Sequence, residues 1–207
     1  MTHIMLDFET LSLKDNATLL SLGACVFDTE FGVSVNTFYA AIDPRTQPGR
    51  DVDAGTALWW MEQSDEARSR ITQAVKNTDL LHDADPDDEA AYNAIRDNAA
   101  LPIMHVAMAF AGWLEQFPNA EVWTNGTVDH HWLQSMFDYC GLKNPVKFWN
   151  QRDYRTLKNL FPAVKHTREG VAHDALADAV YQAEHTVKLL KHKAYLDRMA
   201  EEMDDGK

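Results

Sequence analysis

The chain has 207 residues, 45% of them hydrophobic and 25% charged, which is enough for one α/β domain with a full core. Its formal net charge of −13 argues against broad electrostatic binding to a nucleic-acid backbone, because such binding depends on clustered Lys and Arg. No apolar run approaches the roughly 18–20 residues of a membrane span, and no signal-peptide pattern opens the chain, so no membrane association is expected. Cys25 and Cys140 are expected to be buried thiols, which favours a reducing cytoplasm.

Three strand patterns come first along the chain, at residues 3–8, 19–27 and 33–42. A short turn with a glycine separates the second pattern from the third, which predicts an antiparallel hairpin. A helix is then predicted over residues 54–75. The stretch 77–89 carries six acids and no Lys or Arg, and we expect it to be an exposed acidic loop inserted within a single domain, 1–207.

The second half of the chain alternates helical and strand patterns. Helices are predicted at 101–117, 128–140, 153–161 and from 174 to the K-H-K segment, with short strands at 120–124 and 146–149. Because the late strands are reached through helical crossovers, they should lie parallel to the first strand. The sequence therefore predicts an α/β fold with a five-stranded mixed sheet, three antiparallel strands followed by two parallel ones, flanked by helices.

Four acids stand in positions that are unusual for solvated carboxylates. Asp7 and Glu9 are two residues apart in the first strand and therefore share one face of it. Asp129 follows a strand pattern and the residues N-G-T-V and begins a helix, and Asp178 lies among alanines and valines of the last helix. Converging carboxylates repel one another unless cations neutralise them, and oxygen ligands of this kind suit Mg²⁺ or Mn²⁺. Two such ions about 4 Å apart can bind the attacking and leaving oxygens of a phosphoryl displacement.

His173 is a candidate general base for the same site. Five residues along one helix do not return to the same face, so we expect His173 to lie at or just before the start of the helix that carries Asp178. Its imidazole could then reach the crevice and take a proton from water. Taken singly, an acid before a helix is usually a cap and a lone histidine is usually structural, so only the joint pattern supports catalysis.

A local basic region offsets the acidic character of the chain. Seven basic residues and one acid lie between 143 and 168, which suits a small anionic ligand or a short stretch of backbone, although a solvated charged face would look the same. Trp59 and Trp60 could stack on bases as in single-strand binders, but packing of the helix against the sheet explains them equally well.

The joint pattern resembles a known family. The segments D7-F-E9-T, N125-G-T-V-D129 and H173-D-A-L-A-D178 resemble the three motifs of the DnaQ-like (DEDDh) 3′–5′ exonucleases of the RNase H-like superfamily. All three occur in order at suitable elements, with Val128 in place of the usual Phe as the one departure. Segments 56–68 and 152–157 look like the small phage and bacterial branch that includes DexA-like exonucleases and RNase T-like exoribonucleases.

The resemblance implies an RNase H-like fold and a role for each motif residue. Four acids would hold two Mg²⁺ or Mn²⁺ ions, and His173 would act as general base in releasing 5′-mononucleotides from single-stranded 3′ ends. The metal ligands implied are Asp7, Glu9, Asp129 and Asp178. The residues after the first motif would cradle the terminal nucleotide, and the basic segment would guide the backbone; these candidate substrate contacts are Thr10, Leu11, Ser12, Arg152 and Arg155.

Several alternatives stay open from the sequence. DNA is slightly favoured over RNA as the substrate, with an exoribonuclease of the RNase T or oligoribonuclease type as the alternative. An RNase H-like endonuclease or strand-transfer enzyme is a further reading, and a catalytically silent accessory module that binds nucleic acid is another. The resemblance implies the cytoplasm of a bacterial or phage-infected cell, and a homo-oligomer is compatible with the sequence.

Overall fold

A five-stranded mixed sheet forms the centre of the molecule in the computed structural model, which describes residues 2–168 and 172–205. The strand order is β3-β2-β1-β4-β5, in which the first three strands are antiparallel and the last two run parallel to β1. This arrangement confirms the predicted fold class. The strands are β1 (His3–Thr10), β2 (Leu19–Asp28), β3 (Gly32–Ala41), β4 (Glu121–Thr124) and β5 (Gln151–Asp153).

Helices cover both faces of this sheet. They are α1 (Ala54–Met61), α2 (Asp65–Leu81), α3 (Glu89–Arg96), α4 (Ile103–Leu114), α5 (Val128–Tyr139), α6 (Tyr154–Leu160) and α7 (Ala175–Asp205). Among residues 2–168 and 172–205, none of the helices combines the length and the apolar character needed to cross a membrane.

Two predictions about the first helical region were wrong. The single helix expected over 54–75 is two helices, because Ser64 begins a new one by accepting a hydrogen bond from the Ala67 N–H at 3.3 Å. The acidic segment 77–89 is not one loop. Residues 77–81 belong to α2, only 82–88 form the connection, and Glu89 starts α3 behind an Asp88 cap.

The fifth strand also lies further along the chain than predicted. The apolar residues expected at 146–149 lead into a 3₁₀ turn at Phe148–Asn150 on the surface, where Phe148 is 77% exposed. The strand itself is Gln151–Asp153, and it pairs with β4 through Trp123 and Arg152. Hydrophobicity placed the strand in the wrong part of this segment because its true residues are polar and only half-buried.

The alternation along β1 explains how acids come to stand in a buried strand. Ile4, Leu6 and Phe8 point into the larger core with α4 and α5, whereas Met5 points to the opposite face, where it packs with α7. Residues 7 and 9 continue the face of Met5 and therefore point towards α7. Both cysteines are buried and free, as predicted.

A glycine lets α7 approach the sheet closely at this point. Gly23 of β2 is the pairing partner of Asp7, and a Cβ atom at Gly23 would collide with the backbone of Ala175 and Leu176. Ala175, Ala179 and other small residues continue the contact along α7, and both of these alanines are fully buried. The first turn of α7 is therefore held directly beside the acidic face of β1.

Candidate active site

Five side chains meet in one open cleft of about 390 Å³ at the end of β1. β1 supplies Asp7 and Glu9, the first turn of α5 supplies Asp129, and the first turn of α7 supplies Asp178. His173 enters from the segment just before α7, where it was predicted. The structure thus brings together all five residues of the three motifs, which are distant in sequence.

Two of the four carboxylates are oriented by hydrogen bonds from the protein. The Gln182 side-chain amide donates to Oδ1 of Asp7 at 2.9 Å, and the backbone N–H of Phe8 donates to Oδ1 of Asp129 at 3.1 Å. The second bond joins the start of α5 directly to β1. Asp129 is only 4% exposed, so this carboxylate depends on protein groups for its stabilisation.

The crowding of these acids raises their affinity for protons. Burial raises the pKa of Asp7 well above its usual range, and the neighbouring charges of Asp129 and Glu9 raise it further. Burial, with the charge of Asp129, raises the pKa of Glu9 to about 8. Burial raises the pKa of Asp129 to about 7, against the opposing effect of the Phe8 hydrogen bond. A divalent cation among these carboxylates would offset their mutual repulsion and favour their ionised forms.

His173 has an uncommon backbone conformation and a partly enclosed ring. Its φ of 62° lies in the left-handed region, which non-glycine residues seldom adopt. The ring lies edge-on to Trp59, with 4.7 Å between centroids. Burial and the nearby charge of Arg168 lower the pKa of His173, so the neutral imidazole that can accept a proton is favoured at neutral pH.

The donor set fits hard divalent cations. One possible ligand atom each from Glu9, His173 and Asp178 lies within 4.8 Å of the other two, and two more carboxylates line the same cleft. Four carboxylates with a single imidazole favour Mg²⁺ or Mn²⁺ over Zn²⁺, which prefers nitrogen and sulfur ligands. The guanidinium of Arg168 contacts Asp178, and the positive side chains of Arg155 and Lys158 line the same cleft as the four acids.

A second cleft of about 440 Å³ adjoins the first and shares Glu9 with it. Of the three residues predicted after the first motif, only Thr10 lines this cleft. Leu11 packs against the small core around Trp60, and the Ser12 hydroxyl is buried and donates to Asp51 at 2.6 Å. The structure therefore does not place the side chains of Leu11 and Ser12 where they were predicted.

The two neighbouring tryptophans have different environments. Trp60 is buried, and its indole N–H donates to the carbonyl oxygen of Thr10 at 2.9 Å. Trp59 is 41% exposed and lines the second cleft next to His173. Only Trp59 thus presents substantial aromatic surface to a ligand in that cleft.

The predicted basic contacts also separate into two kinds. Arg155 lines the cleft that holds the four acids, and it donates to the carbonyl oxygen of Asn125 at 2.9 Å. Arg152 was predicted beside it but points elsewhere, because its guanidinium donates to the carbonyl of Trp149 and to Glu121. The Glu121 carboxylate, at the opposite end of β4 from the cleft, determines where this arginine lies.

Gln182 and Arg168 contact the acids of the cleft but were not singled out by the sequence reasoning. Gln182 lies one helical turn after Asp178, and this spacing of four residues could have identified it as a neighbour on the same face. Arg168 had no such signal, because it comes from an irregular segment and only the folded chain brings it to Asp178.

Comparison with protein families gives one match across most of the chain. A family model described as the Rv2179c-like 3′–5′ exoribonuclease domain matches residues 2–190. No curated protein sequence matches significantly.

Solved structures with the same fold are also nucleases. The nuclease domain of 3′hExo, a DEDDh family member bound to rAMP, is 12% identical over 92% of each chain, with a TM-score of 0.55. Exonuclease I in complex with a dT13 oligonucleotide, from E. coli, is 14% identical with a TM-score of 0.61 over 95% of this chain. The match covers only 43% of that exonuclease, so the present chain spans about two-fifths of its length.

Proposed function

The chain belongs to the Rv2179c-like 3′–5′ exoribonuclease domain family and is a 3′–5′ exonuclease of the DEDDh type; from this premise we propose that it degrades single-stranded RNA from the 3′ end with two divalent metal ions. The products are 5′-mononucleotides. The observation that carries the proposal is the convergence of four carboxylates and one imidazole in a single cleft.

The five motif residues and two arginines of the cleft have distinct roles in this reaction. His173 takes a proton from the attacking water at an imidazole nitrogen, and its lowered pKa keeps the ring neutral for that purpose. Divalent ions held by the four carboxylates would stabilise the negative charge that develops on the phosphate. Arg155 and Arg168 line the same cleft and add fixed positive charge for the phosphodiester.

The choice of RNA rests on the family description, since the sequence by itself slightly favoured DNA. Exonuclease I structures with DNA oligonucleotides keep single-stranded DNA as the second candidate substrate. The proposal of a single-stranded end rests on the adjoining cleft, where exposed Trp59 offers an aromatic surface to an unstacked terminal base.

The proposal is tested with RNA and DNA oligomers of the same sequence, 5′-labelled in one set and 3′-labelled in another, with Mn²⁺, Mg²⁺ or EDTA. We expect a ladder of shortening 5′-labelled RNA and immediate release of labelled mononucleotide from the 3′-labelled RNA. Hydrolysis should stop in EDTA and fall at least about a hundredfold in His173→Ala, because general-base catalysis is lost.

A covalently closed circular single strand serves as the matched substrate control. Cleavage of the circle would contradict exonucleolytic action and favour an endonuclease. Faster degradation of the DNA oligomer than of the RNA would contradict the choice of RNA but retain the 3′–5′ exonuclease. Hydrolysis of neither polymer by freshly metal-loaded protein would favour the silent accessory module.

A further inference from the structure

Arg70 of α2 lies outside the catalytic cleft but contacts the segment that carries the general base. Its guanidinium carbon lies 3.8 Å from the centre of the Tyr39 ring on β3, and the same guanidinium forms an ion pair with Asp174. The Asp174 side chain is only 5% exposed, whereas that of Arg70 is 44% exposed. The ion pair therefore joins α2 and β3 to a buried carboxylate directly after His173.

Asp174 uses its other atoms to organise the start of α7. Its second carboxylate oxygen accepts from the Ala177 N–H at 2.9 Å, which makes it the cap of the helix. Its carbonyl oxygen accepts from the Asp178 N–H at 2.8 Å. One residue thus connects Arg70 to the turn that contains a predicted metal ligand, and it directly follows the predicted base.

The backbone conformation of His173 must be stabilised by contacts with the rest of the protein. A non-glycine residue at a φ of 62° is held in its conformation by its surroundings, since the left-handed region costs about 1 kcal/mol or more. Trp59 contacts the imidazole ring of His173, which is a contact with the side chain and not with the backbone of the segment. Asp174 is the nearest point at which the backbone after His173 is anchored to another helix.

We propose that Arg70 is a positioning residue, which holds Asp174 and thereby fixes His173 and the first turn of α7 in the cleft. The inference rests on the proposed role of His173 as general base. Arg70 itself lines a separate cleft of about 550 Å³, together with Arg96 and Asn77, so it has no direct contact with the reacting atoms.

Steady-state kinetics separate positioning from substrate binding. In Arg70→Ala we expect kcat to fall about ten- to a hundredfold, because small displacements of catalytic groups have effects of this size. KM should change by less than about twofold, since ground-state contacts with RNA are retained. Arg70→Lys should recover part of kcat because it keeps the charge opposite Asp174. Arg96→Ala, in the same cleft but paired with exposed Asp97, should match the wild type.

A double-mutant cycle tests whether Arg70 acts through Asp174. Asp174→Asn removes the ion pair but keeps an oxygen that can cap α7. If both residues act through one contact, Arg70→Ala combined with Asp174→Asn should lower kcat no further than the more severe single variant. Multiplicative effects in the double variant would overturn the proposal, as would an increase in KM with kcat unchanged, which would make Arg70 a substrate contact.

Amide hydrogen exchange tests the positioning role of Arg70 without measuring activity. Peptides covering residues 172–182 should exchange faster in Arg70→Ala than in the wild type or Arg96→Ala, because the cap of α7 loses its anchor. If the wild type hydrolyses no nucleic acid, the proposed function fails while this result still shows whether Arg70 holds the segment. Unchanged exchange in Arg70→Ala would overturn the positioning role even in an active nuclease.

Discussion

The molecule contains two groups of acids with opposite properties. The six acids of segment 79–89 are all exposed, and one of them, Asp79, pairs with Arg45 on the surface. The four acids of the catalytic cleft come from three separate elements, and three of them are less than 9% exposed. The acids of the first group are close together in the sequence and surrounded by solvent. Those of the second group are far apart in the sequence, but the fold brings them together in one cleft.

This difference shows why acid density in the sequence is a poor guide to a metal site. Solvated carboxylates are stabilised by water and need no cation, so segment 79–89 can be acidic without a bound ligand. Buried carboxylates beside one another have lost that solvent, and the raised pKa values of Asp7, Glu9 and Asp129 show the consequence. Binding of a divalent cation is the most direct way to stabilise them in their charged forms.

The largest effect is expected from removing one buried charge. Asp129→Asn keeps an oxygen for the Phe8 N–H but removes one negative charge from the proposed metal site, so hydrolysis should fall at least about a thousandfold. The same change should raise the Tm of the metal-free protein, because the repulsion is relieved. RNA hydrolysis and thermal unfolding measure the two effects. Asp87→Asn in the exposed group is the control and should change neither; equal losses in both variants would remove the distinction between the two groups.

Moving one of the four acids away from the others should have the next largest effect. Gly23→Ala introduces a Cβ where the backbone of Ala175 and Leu176 lies, so the start of α7 must shift away from β1. We expect a loss of about 1–3 kcal/mol in the free energy of unfolding, as for other overpacked sites, together with a clear loss of hydrolysis. Gly112→Ala, where the added Cβ meets nothing within 4 Å, should leave hydrolysis unchanged. Urea unfolding measures the stability of both variants, and kcat measures their hydrolysis. Equal stability and equal kcat in Gly23→Ala and Gly112→Ala would contradict the prediction.

Basic side chains line the cleft, whereas segment 79–89 contains no Lys or Arg. Lys158 lines the cleft together with Arg155. Arg155→Ala combined with Lys158→Ala should raise KM about tenfold and reduce its dependence on salt, since two positive charges that would attract the phosphates are removed. Arg152→Ala is the matched control, because its guanidinium is engaged with Glu121. KM measured at several salt concentrations checks this prediction. Equal effects of Arg152→Ala and the double variant would mean that the whole basic segment acts as a diffuse charged surface.

A smaller effect is expected in the pH dependence of stability without metal. Unfolded carboxyl groups titrate at about 4, whereas Glu9 in the fold titrates at about 8 and Asp129 at about 7. Between these values the folded protein holds protons that the unfolded chain has released, so stability decreases as pH rises. Buried histidines such as His3 and His130, whose pKa values are lowered by burial, act in the opposite direction, so the comparison is made with Asp129→Asn. The Tm of the wild type in EDTA, relative to that of Asp129→Asn, should fall from pH 5 to pH 8, by about 2–4 °C for each kcal/mol of stability lost. Saturating Mg²⁺ should flatten this slope, and a difference in Tm that rises over the range would contradict the prediction.

Much of the site could be predicted because it follows from backbone periodicity. The spacing of two between Asp7 and Glu9 determines their common face, and the spacing of five between His173 and Asp178 would place them on different faces of one helix, so both reach the cleft only if His173 precedes the helix. These rules are local and do not depend on the rest of the fold.

Features that depend on tertiary partners could not be predicted. Arg152 and Arg155 lie three residues apart in the same basic segment, and the sequence does not distinguish them. In the fold, Arg152 pairs with Glu121 away from the cleft, whereas Arg155 lines the cleft. Ser12 is directed inward by Asp51, and β5 forms at polar residues because β4 offers its edge there. In each case a residue distant in the chain decides the outcome, and pattern within a short window contains no information about it.

The most direct test of the proposed metal site is anomalous scattering from crystals of the protein grown or soaked with Mn²⁺. We expect anomalous density among the carboxylates of Asp7, Glu9, Asp129 and Asp178, and none at the exposed acids of segment 79–89. Density absent from the cleft at concentrations of Mn²⁺ that support hydrolysis would contradict the assignment of this cleft as the metal-binding active site.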